Sequence, residues 1–150
     1  MARSAAPPLP RVGQGERFTW LLLLALPLFA ILTATQLTPD PVGHGTHTQL
    51  GLPPCGFLLV TGFPCPGCGL TTCFTHMVRF EFVDAVRANP FGVALFLVCA
   101  FGVPIAAAGF LRGWPIIDTL ERVSFDKVAI ALSASSIVVF VARVAAQLLR

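Results

Sequence analysis

Charge is what this sequence has least of. Asp, Glu, Lys and Arg make up 11% of its 150 residues, where a soluble domain carries roughly 25%. So few charges cannot cover a globular surface, and lipid is the expected outer solvent. Any run of Lys or Arg is also missing. The net charge of +3 and the pI of about 8.8 are spread thinly along the chain, which argues against a nucleic-acid partner. There is no Ser/His/Asp set, no phosphate-cradling glycine loop, no pair of carboxylates inside the apolar segments and no internal repeat. These absences tilt the expectation away from an enzyme.

What is present is apolar. Hydrophobic residues make up 55% of the chain, and its mean hydropathy is +0.81. Three apolar runs, charged only at Arg143 of the third, are long enough to cross a bilayer at about 1.5 Å per helical residue. They lie at about residues 18–37, 91–111 and 128–149. The first competes with a signal peptide, whose apolar core is about 7–15 residues and ends at a small-x-small site. This run is longer and lacks a clear site, so a retained anchor is expected. Pro27 and Pro104 lie inside spans, where neighbouring helices tolerate them. Residues 1–17 are polar and rich in Pro, Gly and Ala. They read as a disordered tail, leaving residues 18–150 as a single membrane domain. Asn89-Pro90 is a helix start, with Asn as N-cap and Pro at the first helical position.

Arg3, Arg11, Arg17, Arg112, Arg122 and Lys127 fall on one side of a three-span topology, and Arg79, Arg87 and Arg150 on the other. The excess predicts a cytoplasmic N-terminus in a cell membrane. Arg143, near the end of the third span, is expected to snorkel to the interface. Trp114 suits a headgroup-level anchor. Residues 38–54 read as a polar linker in which His44 and His47 are solvated.

The stretch "TGFPCPGCGLTTCFTH", residues 61–76, breaks this pattern. By hydropathy, residues 56–78 are a fourth span, but Gly62, Pro64, Pro66, Gly67 and Gly69 crowd the centre. Each Pro in a helix interior costs roughly 3 kcal/mol, and irregular backbone at membrane depth survives only when buried in protein or facing water. The expectation is a re-entrant or interfacial loop from Thr61 to about Leu70, with helix resuming near Thr71. An amphipathic helix then follows in the interface, with Arg79, Asp84 and Arg87 on its charged side. Residues 55–90 thus form a cysteine-bearing cap on the outer face of an all-α, three-span membrane protein.

Cys65 and Cys68 have C-x-x-C spacing followed by Gly69, the shape of a zinc-knuckle half-site. A closed zinc site takes four ligands, and Cys55, Cys65, Cys68 and His76 are the set the sequence offers. Thiolates sharing one zinc stand ~3.5–4 Å apart, given Zn–S bonds of about 2.3 Å. The same pair also reads as a redox-active dithiol or as a static disulfide, for which the outer face is permissive. The glycine after Cys68 favours metal. No thioredoxin-like βαβ pattern surrounds the motif. Cys99, within a span, and Cys73, beside Phe74, read as packing residues.

Thr61-Gly62, Pro64 to Gly69, Thr71 and Asn89-Pro90 resemble the pattern of a family of small bacterial membrane proteins, domain of unknown function 2752. The resemblance covers about residues 55–111, less than half the chain. It departs from the family pattern at two places. Gly56 follows Cys55 where the family has Pro, and Thr72-Cys73 stands where Arg-Ala is usual. The missing Arg removes the family's candidate for an anion or headgroup contact. The resemblance implies membrane location and importance of the motif, not a reaction. The functional expectation is a small membrane protein whose cap is organised by zinc or a disulfide and which acts as scaffold or partner of another membrane protein. The alternative is a membrane thiol-disulfide oxidoreductase using Cys65 and Cys68.

Overall fold

The computed structural model describes residues 13–149. Residues 1–12 and Arg150, which include most of the tail and three of the counted arginines, lie outside the described residues. Within them the regular structure is all helical: α1 (Gln14–Gln36), α2 (Gly56–Thr61), α3 (Leu70–Met77), α4 (Phe82–Ala88), α5 (Pro90–Arg112), α6 (Ile116–Arg122) and α7 (Phe125–Leu148). α1, α5 and α7 are the three helices long and apolar enough to cross a membrane. Their outward side chains, among them Phe29, Phe101, Ile130 and Val138, are exposed, as lipid-facing residues of a spanning helix would be. α1 begins at Gln14, so Glu16 and Arg17, assigned by sequence to the tail, belong to its first turn. Glu16 accepts from the Gly13 N–H there, an acid placed well against the helix dipole.

α1 and α5 form the tightest pair, and one small residue sets their spacing. Trp20 of α1 is 2% exposed and lies flat against Gly109 of α5, where a Cβ would meet the indole ring at 2.7 Å. Small residues let helix backbones approach closely in lipid. The Trp20 Nε1–H then donates to the Trp114 carbonyl at 2.9 Å, so the connection between α5 and α7 is pinned to the N-terminal end of α1. Arg112 stacks 5.5 Å over the Trp114 ring. The cap, residues 38–89, sits at the other end.

The cap differs from expectation in two ways. The single amphipathic helix is two helices, α3 and α4. Phe80 adopts φ +62° between them, which ends one helix and starts the other on a new axis. The polar linker is also built in. A 3-10 turn, Thr46–Leu50, packs on α3, and the buried Thr46 hydroxyl lies 2.8 Å from that of Thr72 while accepting from the Asp40 N–H. Arg79, although exposed, is tied to the backbone. It donates to the Thr75 carbonyl at 2.8 Å and to the Leu37 carbonyl at 2.6 Å, which closes the C-terminal end of α1 onto α3.

Candidate metal centre

The break predicted from glycine and proline falls between α2 and α3. Gly62 ends α2 at φ +72°, with its N–H on the Leu58 carbonyl. Cys65-Pro66-Gly67-Cys68 closes a four-residue turn, the Cys68 N–H donating to the Cys65 carbonyl at 3.0 Å. Pro66 takes the second position, where its fixed φ belongs. Gly69 then opens α3 at φ +84°. A Cβ on Gly69 would stand 2.7 Å from both the Ala88 and Gly43 carbonyl oxygens, so only glycine passes there.

This turn brings the thiols together. The Cys65 and Cys68 sulfurs are 3.2 Å apart, and Cys55, arriving at the N-cap of α2, lies 3.5 Å from Cys65. All three sulfurs lie within 4.8 Å of one another. The spacing is at or just below that of thiolates sharing one zinc. Cys68 is buried and Cys55 and Cys65 are half-buried. The Cys55 thiol is held below its ordinary pKa, chiefly by the Leu58 N–H and then by the Cys68 thiol. Burial, helped by the hydrogen bonds that the Cys68 thiol shares with Cys65 and Cys55, pushes Cys68 up to about 12.

His76 does not join them. Its Nδ1 lies 2.6 Å from Glu81 Oε2. Eight residues of mostly helical backbone carry it about 12 Å beyond Cys68 at 1.5 Å per residue, so the helix that begins at the thiol turn also takes the imidazole away. Cys73 turns into the bundle, fully buried against Gly92, where burial pushes its thiol up to about 12. Cys99 lies half-buried within α5.

The remaining motif residues shape the turn. Thr61 donates to the Phe57 carbonyl and accepts from the Phe63 N–H. Asn89 is fully buried and works at both ends of its amide. Its Oδ1 accepts from the Gly92 N–H as the N-cap of α5, ahead of Pro90, and its Nδ2 donates to the carbonyls of Pro66 and Cys68.

Three residues near the thiols carried no useful signal in the sequence. Arg143 of α7 does not snorkel. Its guanidinium donates to the Cys68 carbonyl at 2.7 Å and also to the Ala88 carbonyl. A long cation near the end of a span reads as an interface residue unless the fold supplies acceptors inside. His44 and His47, expected to be solvated, are half-buried, and both line a cavity of about 540 Å³ whose wall also carries Cys55, Cys65 and Cys68.

Three apolar spans under a cap with clustered thiols define a multi-pass membrane protein with a potential soft-metal centre. Within that class, residues 55–103 match the family described as protein of unknown function (DUF2752), in agreement with the resemblance drawn from the CPGCG core and Asn-Pro pair. No curated protein and no solved structure matches the chain.

Proposed function

We propose that this is a small membrane protein whose cap is organised by zinc held on Cys55, Cys65 and Cys68, and that the capped bundle is a scaffold for another membrane protein. The observation that carries the reading is the convergence of three sulfurs from two separate segments within 4.8 Å. Thiolates are soft ligands suited to zinc. A bound ion deprotonates its thiols outright, so loading releases protons and strengthens as pH rises. The three cysteines share the lining of one cavity with His44 and His47, and a fourth ligand would be water or one of those imidazoles. The reading includes a bacterial inner membrane, with the N-terminus cytoplasmic and the cap outside.

Metal analysis and thiol mass spectrometry on protein purified from membranes test it. One zinc per chain is expected, lost in Cys55→Ser, Cys65→Ser and Cys68→Ser and kept in Cys73→Ser, Cys99→Ser and His76→Ala. Protein without metal and with a Cys65–Cys68 disulfide would reject it. The second reading, a thiol-disulfide cycle, draws support from the 3.2 Å separation of the Cys65 and Cys68 sulfurs in one tight turn. In that cycle Cys65 and Cys68 give up two electrons and two protons to a partner's disulfide. Two interconverting alkylation states would be its signature.

A further inference from the structure

Among the described residues Arg143 has no carboxylate partner: the ion pairs are His76–Glu81 and Arg87–Asp84. An ionisable side chain on a spanning helix is expensive unless something nearby answers its charge. Its carbonyl contacts satisfy hydrogen bonds but supply no opposite charge. Both lie at the thiol turn. Cys68 bears one of the three sulfurs, and Ala88 borders Gly69. The Cys68 carbonyl accepts from Asn89 as well, so the backbone of that ligand is gripped from α5 and α7 together. α7 has no fully buried residue along its length. Its ties to the cap are this arginine, the Gln147 amide on the Gly62 carbonyl at 2.9 Å, and an edge contact of Phe140 with Phe57.

The charge balance follows from the metal reading, on which this inference rests. Three thiolates on a divalent ion leave one net negative charge. Unanswered, that charge would be costly in a half-buried cap against lipid. We infer that Arg143 is the counter-charge and positioning residue of the trithiolate centre, contributed by the third span. One guanidinium neutralises one negative charge, and its planar fork reaches two carbonyls at once, as a lysine cannot. The loading of the centre and the seating of α7 are therefore linked, each favouring the other.

Cobalt(II) titration of the metal-stripped full-length protein in detergent, read by the thiolate-to-cobalt charge-transfer band, separates charge from hydrogen bonding. Arg143→Gln keeps an amide donor and removes the charge. It is expected to weaken cobalt binding by about 10- to 100-fold, the usual effect of losing a partner behind a metal ligand. Arg143→Lys keeps the charge and loses the fork, and it should recover most of that affinity. Equal losses in the two variants, or wild-type affinity in Arg143→Gln, would overturn the counter-charge role while leaving the metal centre standing. A wild-type protein without the band would overturn both. Should Arg143→Gln fail to fold, Arg143→Lys decides alone, because a loss as large as tenfold with the charge retained refutes the inference.

Discussion

At the scale of single residues, the thiol site is made by positions where no other residue would serve. Gly69 combines φ +84° with two carbonyl oxygens at 2.7 Å from a would-be Cβ. Gly69→Ala should cost upward of ~3 kcal/mol, since strain at positive φ alone is about 1–3 kcal/mol and the clash is with backbone. Gly67 has ordinary φ, and its nearest neighbour would lie at 3.7 Å. Gly67→Ala should change stability by no more than ~0.5 kcal/mol. Thermal unfolding of the two variants in detergent compares them, and similar losses would refute the assigned geometry. The thiols differ as sharply. The thiolate is the reactive form, and a lower pKa means more thiolate at a given pH. In metal-free protein near pH 8, iodoacetamide should therefore reach Cys55 well before Cys68 or Cys73, both raised to about 12. Mass spectrometry over a time course reads the order, and early modification of Cys68 would contradict it.

At the scale of elements, helices meet through specific small or polar residues. Gly109 sets the contact of α1 with α5. Gly109→Val places a branched side chain into the Trp20 ring and should destabilise by about 1–3 kcal/mol, the usual cost of overpacking, seen as a lower unfolding midpoint in detergent. Asn89 joins α5 to the thiol turn, and its two roles are separable. Asn89→Asp keeps the oxygen that caps the Gly92 N–H but loses the donors to Pro66 and Cys68. α5 should remain helical while alkylation of Cys68 quickens. Asn89→Ala loses the cap as well, worth about 1 kcal/mol, so the first turn of α5 should fray in Asn89→Ala and not in Asn89→Asp, read by hydrogen exchange of the Gly92 amide. Equal exchange in the two would mean that the cap contributes nothing here.

At the scale of the whole molecule, three spans put the start of α1 and the end of α7 on opposite sides of a membrane, and the Lys/Arg excess at the α1 start and the α5–α7 connection is the ground for proposing that this end is cytoplasmic. A reporter active only outside the cytoplasm, fused after Arg150, should be active. Cytoplasmic activity there would sink the orientation. By itself the sequence determined the three spans, the break at residues 62–69 and the N-cap at Asn89. Each is a local property: apolar length, the missing N–H of proline, the free φ of glycine, a side-chain oxygen one turn from its donor. It also marked Cys65 and Cys68, because a tight turn fixes residues three apart. Only the tertiary structure decided what joins them. Cys55 arrives and His76 departs because α2 and α3 enter and leave the turn along particular directions. Phe80 splits one expected helix into two, His44 and His47 line the cavity beside the thiols, and Arg143 reaches across from α7. Such convergence sums many backbone angles over tens of residues, and no short-range pattern in the sequence records that sum.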